Sequence, residues 1–173
     1  MKRTLAVVAV ILAVLLGAQG QALAANFAKP FEDDTGPVTS GSGGDSCSET
    51  WAFTPVAGYV LRGKGCFSKN GDVWRIQDAF PDGTQTFVYW ENWLWSGDGP
   101  GAQWKPYRYG ECTNSSGSDT WARCNKDYYE SSNTNVYGGK GSKIRFQTCR
   151  RVPADNVCTP ASIEEAPWIN NNG

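Results

Sequence analysis

The sequence predicts an all-β fold, either an antiparallel β-sandwich or a small barrel. Three observations support this prediction: short segments alternate apolar and polar residues, turn residues separate those segments, and no longer stretch has a helical period. A segment of period two buries one face of a strand, and Gly, Asn, Ser and Pro form the turns between strands. Many short strands of this kind are typical of sandwiches and barrels.

Residues 1–25 have the pattern of a Sec-type secretory signal peptide. Lys2 and Arg3 precede an unbroken apolar run over residues 5–16, which is too short to span a bilayer as a stable helix. Ala22-Leu23-Ala24 matches the small-x-small pattern that signal peptidase reads, so we expect cleavage just after it. We therefore expect a secreted, extracellular protein with no membrane span in the mature chain, rather than one that retains an N-terminal anchor helix.

Residues 26–46 are predicted to be a flexible leader, because they are rich in Gly, Ser and Asp and poor in apolar residues. Residues 170–173 are predicted to be a short polar tail. The folded domain is therefore expected to span residues 47–169.

Within that domain, residues 73–80 and 84–95 are predicted to form a hairpin around Pro81-Asp82-Gly83. Proline presets the first turn position, and glycine accepts the positive φ that a hairpin loop needs. Both flanking segments are rich in β-branched and aromatic residues, which favour strands. Further strands are predicted at residues 51–53, 59–61, 107–112, 121–124 and 143–150.

Six cysteines in a secreted chain predict a disulfide framework. They are Cys47, Cys66, Cys112, Cys124, Cys149 and Cys158. Their connectivity stays open at this stage, but we favour pairing each with its neighbour in that order, because every such pair closes a short loop containing turn residues. A zinc site made of cysteines alone is disfavoured, because no Cys-x2-Cys pair occurs and an oxidising compartment converts thiols to disulfides.

Charge and the absence of histidine restrict the function. Loss of Lys2 and Arg3 with the signal peptide changes the net charge from −1 to about −3, which argues against nucleic-acid binding because that requires a basic face. Without histidine, Ser-His and Cys-His nucleophile pairs and His-ligated zinc sites are excluded.

A glycosidase would need two carboxylates held across a cleft, and no pair stands out among the acidic residues. The candidates by position are Asp78, Asp82, Glu91, Asp98 and Glu111. We therefore expect a non-enzymatic protein that uses no cofactor and no metal.

Residues 87–95 concentrate aromatic side chains in one predicted strand. Alternation would place Tyr89, Glu91, Trp93 and Trp95 on a single face. Flat aromatic rings beside polar groups suit pyranose sugars, whose C–H faces stack on indole while their hydroxyls bind at the edge, with Glu91 available for those hydroxyls. The simpler interpretation is that the rings fill the core or lie under loops, as large aromatic residues usually do.

Arg150 and Arg151 suggest a second kind of function. If Cys149 pairs with Cys158, the two arginines would lie on a short constrained loop. Secreted inhibitors present arginine to trypsin-like proteases on such loops, because a rigid loop loses little entropy on binding. Two solvated charges at the end of a strand are the simpler interpretation.

The signal peptide, the predicted hairpin around Pro81-Asp82-Gly83 and the strand Lys143-Ile144-Arg145-Phe146 running into Cys149 resemble features of small secreted β-proteins of actinobacteria. The resemblance implies a β-sandwich and an extracellular location, and it assigns no active site. We expect a secreted binding domain that contacts carbohydrate or cell-envelope glycan. The alternatives are a protease inhibitor and a structural surface protein without a small ligand, so the expected partner is a polysaccharide or another extracellular protein.

Overall fold

The computed structural model describes residues 25–171, so the predicted signal peptide lies outside the described residues except for Ala25. Within that range the chain forms eleven β-strands, one turn of 3-10 helix at Ile163–Glu165 and no α-helix. The strands are β1 (Phe31–Thr35), β2 (Val38–Thr39), β3 (Ser46–Thr54), β4 (Gly58–Ser68), β5 (Val73–Asp78), β6 (Thr86–Trp95), β7 (Trp104–Asn114), β8 (Thr120–Asn125), β9 (Ser142–Arg151), β10 (Asn156–Thr159) and β11 (Ile169–Asn171). The prediction of an all-β fold is confirmed.

The strands form two sheets, as a sandwich requires. Sheet A has the order β1-β7-β6-β9-β10, and β11 also pairs with β9. Sheet B has the order β2-β8-β5-β4-β3. All pairings are antiparallel except β1 with β7, which is parallel. Both sheets keep open edges, so the fold is a sandwich and not a closed barrel.

The core lies between the two sheets and is rich in aromatic residues. It contains Phe67, Trp74, Ile76, Val88, Trp90, Cys112, Cys124, Tyr128, Ile144, Phe146 and Ile169. Trp74 is fully buried, and its Nε1 donates a hydrogen bond of 3.0 Å to the Tyr128 hydroxyl. The polar atoms of both rings are thereby satisfied in an otherwise apolar interior.

Gly65 brings the sheets close together at one point. A Cβ at this position would lie 2.3 Å from Val88 Cγ2 and 2.5 Å from Thr148 Oγ1, both on the opposite sheet. Only a residue without a side chain fits this approach, so β4 packs directly against β6 and β9.

The predicted hairpin between residues 73–80 and 84–95 is wrong. β5 pairs with β4 and β8 in sheet B, whereas β6 pairs with β7 and β9 in sheet A. Pro81-Asp82-Gly83 therefore crosses from one sheet to the other. Asp82 anchors the crossing, because its Oδ2 accepts from Arg62 at 3.1 Å on sheet B and from Arg150 at 2.6 Å on sheet A. The turn reverses the chain but does not decide which strands pair.

The predicted leader at residues 26–46 is also corrected, because it contains two strands and two of its acidic residues, Glu32 and Asp34, have cationic partners. Strand β1 joins sheet A and β2 joins sheet B. Glu32 accepts two hydrogen bonds from Arg108, at 2.6 and 2.9 Å, and one from Lys126 at 2.6 Å. Burial alone would raise the pKa of Glu32, but these bonds outweigh it and hold the pKa below its ordinary value.

The predicted polar tail at residues 170–173 is in part structured. Ile169–Asn171 pairs with β9 as β11, and Asn171 is fully buried. The domain therefore begins earlier and ends later than residues 47–169.

The structure contains the three disulfides that pair cysteines in chain order. Cys47–Cys66 joins facing residues of β3 and β4, and Cys149–Cys158 joins facing residues of β9 and β10. Cys112–Cys124 connects β7 of sheet A to β8 of sheet B, so this bridge fastens the two sheets together. Between residues 25 and 171 no helix has the length and apolar character needed to cross a bilayer.

Candidate binding surface

The four residues singled out on β6 share the outer face of sheet A. Val88 and Trp90 are fully buried in the core, so the alternating Tyr89, Glu91, Trp93 and Trp95 point away from it. The alternation of β6 stays regular because the extra residue of the bulge lies on β7: Asn92 pairs with Arg108 and Trp93 pairs with Pro106.

Four indole rings meet at one end of this face and form what we call the indole cluster. Its members are Trp93, Trp95, Trp104 and Trp168, all at least partly exposed. Trp93 and Trp168 lie 5.4 Å apart at an interplanar angle of 68°, and Trp95 and Trp104 lie 5.4 Å apart at 62°. Because the paired rings are steeply inclined, the surface is ridged rather than a flat platform.

Lys143 carries a positive charge into the indole cluster. Its Nζ lies 3.9 Å from the ring centre of Trp168, 4.8 Å from that of Trp104 and 5.6 Å from that of Trp93. Among residues 25–171 it forms no ion pair. Burial, and secondarily the neighbouring Arg145, lower the pKa of Lys143. Ring faces, and not a carboxylate, surround this cation.

Glu91 is engaged inside the protein, which corrects the expectation that it is available to sugar hydroxyls. It is 4% exposed, and its Oε2 accepts from Arg145 Nε at 2.8 Å and from Trp93 Nε1 at 3.2 Å. The Arg145 guanidinium also lies 4.7 Å from the ring centre of Trp168. Glu91 therefore orients Trp93 and Arg145 and acts as a positioning residue for the cluster.

Tyr89 borders a shallow depression of about 230 Å³ on the same face, away from the indole cluster. The depression is lined by Phe87, Tyr89, Glu111, Gln147, Cys149, Asn156 and Cys158. Burial, followed by the charge of Glu91, raises the pKa of the Tyr89 phenol. Tyr89 consequently stays neutral and keeps its hydroxyl proton at physiological pH.

Sequence reasoning missed two members of this site for a physical reason. Trp168 reaches β6 from the C-terminal segment, where Gln147 Nε2 donates to the Pro160 carbonyl at 2.7 Å and holds the segment over sheet A. The alternation of residues 143–150 puts Lys143 and Ile144 on opposite faces of the strand, but nothing in this pattern indicates which rings lie beside Lys143. The alternation of residues in a strand indicates which side chains share a face. It does not indicate which side chains of other strands lie beside them.

The two arginines of the inhibitor hypothesis do not lie on a loop. Arg150 and Arg151 are the last residues of β9, and they pair with Val157 and Asn156 of β10. The connecting loop is formed by residues 152–155 instead. Arg150 binds Asp82 and Arg151 binds Glu111, so both guanidinium groups are occupied within the domain. The constrained-loop geometry on which that hypothesis depends is therefore absent from this strand pair.

A cleft of about 570 Å³ lies away from the indole cluster. It is lined by Tyr107, Arg108, Asp127, Tyr128, Tyr129, Ser132, Asn133 and Thr134. Asp127 is the one carboxylate among these lining residues, whereas glycoside hydrolysis uses two. Among the glycosidase candidates, Asp82, Glu91 and Glu111 are each bound to arginine. Across residues 25–171, no group of three or more Cys, Asp or Glu side chains is placed to hold a metal ion.

No family model, curated protein or solved structure matches this chain. The functional interpretation therefore depends on the chemistry of the surface itself.

Proposed function

We propose that the protein is a secreted, non-enzymatic binding domain that contacts glycan through the outer face of sheet A. The observation that carries the proposal is the gathering of four indole rings on a single sheet face, around a lysine that forms no ion pair with any of residues 25–171. A sheet holds such side chains with little freedom, so they lose little entropy when a ligand binds. Three disulfides support an oxidising, extracellular compartment.

The inclined rings suit a sugar chain better than an extended aromatic ligand. The C–H faces of successive sugar units can stack on indole rings of different orientation. The ammonium and guanidinium N–H groups can bind the polar substituents of the sugars. Glu91 forms an ion pair with Arg145, whereas Lys143 has no ion-pair partner in residues 25–171, so the balance of paired groups leaves the Lys143 ammonium for a ligand. This balance favours glycans that carry carboxylate or phosphate groups over neutral glycans.

Affinity electrophoresis tests the proposal with gels that contain polygalacturonate, purified cell-wall glycan bearing phosphate, or a neutral β-glucan. We expect an acidic gel to retard the wild-type protein. Trp93→Ala and Trp168→Ala should each weaken the affinity measured by this retardation about two- to twelvefold, since an aromatic contact contributes about 0.5–1.5 kcal/mol. Lys143→Gln should weaken retardation in the two gels that contain acidic glycan and not in the gel that contains neutral β-glucan.

Trp121→Ala is the matched control, because Trp121 lies on β8 of sheet B. Near-ultraviolet circular dichroism verifies that each variant is folded. A wild-type protein that migrates freely in every gel would contradict the proposal, and so would a loss in Trp121→Ala equal to that in Trp93→Ala.

A further inference from the structure

The hairpin of β3 and β4 extends beyond the sandwich. β4 pairs with β5 from Gly63 to Ser68, but residues 51–54 and 58–61 pair only with each other. No residue from 51 to 61 is buried. We call residues 51–61 the projecting ribbon, because it is a two-stranded element that stands outside the core.

The projecting ribbon exposes the most prominent apolar patch of the described chain. Val56 is 99% exposed, Tyr59 74%, Phe53 66% and Trp51 51%. Phe53 faces Tyr59 across the strands, and Trp51 faces Leu61, so their side chains share one side of the ribbon. Monomeric proteins seldom expose contiguous apolar surface of this kind without a binding partner.

The tip of the ribbon is held in a defined shape. Pro55 fixes its own φ, and Gly58 has a φ of 70°, which closes a short turn. The Thr54 hydroxyl accepts from the Ala57 N–H at 3.1 Å and donates to the Gly58 carbonyl at 3.2 Å. The turn therefore holds the apolar side chains of the ribbon in a fixed arrangement before any partner binds.

The tip of the projecting ribbon has no charged residue, and the charged residues at its base form ion pairs. Residues 50–61 contain no Asp, Glu, Lys or Arg. At the base, Glu49 pairs with Lys64 at 2.8 Å and Arg62 pairs with Asp82 at 3.1 Å. A convex, uncharged tip with Trp and Tyr behind it matches the apolar-to-polar gradient of a bilayer interface, where these two residues are enriched. A protein partner would instead need a matching concave pocket.

We propose that the projecting ribbon inserts into the interfacial layer of a lipid bilayer. Because its base has no excess of basic groups, it fits zwitterionic lipid and does not require anionic headgroups. The ribbon extends from sheet B, whereas the indole cluster lies on the outer face of sheet A, so insertion would leave the proposed glycan surface accessible. The proposal does not depend on glycan binding.

Sedimentation with phosphatidylcholine vesicles tests the insertion. We expect the wild-type protein to sediment with the vesicles. Val56→Asp should reduce the partition coefficient about tenfold or more, because it replaces the apolar side chain that enters the bilayer with a charged one. Val136→Asp is the matched control, since Val136 is a 57% exposed valine outside the ribbon, and it should bind within twofold of wild type. Thermal unfolding should be equal in all three proteins.

Brominated phosphatidylcholine identifies the inserted side chain, because bromine quenches nearby indole. The wild-type protein should lose part of its tryptophan fluorescence on these vesicles, whereas Trp51→Phe should bind and show little quenching. Three results would overturn the proposal: no sedimentation of the wild type, equal loss in Val136→Asp, or a vesicle-free dimer in analytical ultracentrifugation that Val56→Asp dissociates. The last result would identify a second copy as the occupant.

Discussion

Replacing Glu32 with glutamine should weaken the charge network that joins the N-terminal strand β1 to the rest of the domain. Glu32 receives hydrogen bonds from Arg108 and Lys126, and the side chains of these residues are 25%, 20% and 5% exposed, respectively. Glutamine keeps the size of the side chain but removes the charge that balances two poorly solvated cations. Asp34, which is 42% exposed, remains as a partner for Lys126.

The structure sets the expected size of this effect. Breaking a fully buried ion pair costs about 3–5 kcal/mol, whereas an exposed pair contributes at most about 1 kcal/mol. The partial exposure and the remaining Asp34 place Glu32→Gln between these limits, at about 2 kcal/mol lower free energy of unfolding, or about thirtyfold in the folding equilibrium. Glu49→Gln removes the more exposed Glu49–Lys64 pair and should cost at most about 0.5 kcal/mol.

Urea unfolding of the disulfide-intact protein at pH 7 and pH 3 measures both effects. Because the folded-state pKa of Glu32 is lowered, its stabilisation is complete above the ordinary pKa of 4.5 and is lost as the pH falls through the folded-state value. The difference between wild type and Glu32→Gln should therefore be largest at pH 7 and shrink at pH 3. A pH 7 difference below about 0.5 kcal/mol, or one that does not shrink in acid, would refute this reasoning.

Three further variants test the packing and the covalent framework by urea unfolding. Gly65→Ala should lower the free energy of unfolding by about 2–3 kcal/mol, because its Cβ meets the opposite sheet; an unchanged stability would show that the sheets can separate at no cost. Tyr128→Phe should cost about 1–2 kcal/mol, since it leaves Trp74 Nε1 buried without an acceptor, and a gain in stability would contradict this. The double variant Cys149→Ala/Cys158→Ala should lose about 2–3 kcal/mol, and peptide mapping that finds either cysteine bridged elsewhere in the wild type would disprove the pairing.

Strand positions could be predicted from sequence because alternation is a local property. Residues 73–80 and 143–150 alternate apolar and polar residues over most of their length, and they correspond to β5 and β9. Strand pairing could not be predicted in the same way. Pro81-Asp82-Gly83 has the composition of a hairpin turn, yet it links two sheets, because β5 pairs with β4 and β8 whereas β6 pairs with β7 and β9, and turn composition does not report these distant partners.

The N-terminal strand shows the same difference between local and distant information. Residues 26–46 have the composition of a flexible segment, but their ordering depends on Arg108 and Lys126, which come much later in the chain. The composition of a segment indicates how much apolar surface the segment itself can bury. It does not indicate which cations from distant parts of the chain will lie beside the segment in the folded protein.

From the sequence, only the strand face that carries the candidate site could be predicted. The period of β6 places Tyr89, Glu91, Trp93 and Trp95 together, but the neighbours that define the chemistry, Trp168 among them, come from other strands or from the C-terminal segment. The projecting ribbon had a local signal that could have been used, namely an uncharged aromatic run with Pro55 and Gly58 at its centre.

Indole ¹H–¹⁵N spectra recorded during titration with oligogalacturonate, and separately with a neutral β-glucan oligosaccharide, test the proposed glycan surface most directly. The eight tryptophans provide eight reporters at known places in the fold. The proposal predicts that the signals of the indole cluster shift with oligogalacturonate while those of the buried Trp74 and Trp90 do not. Spectra unchanged by both oligosaccharides, or shifts confined to Trp51 and Trp121, would contradict it.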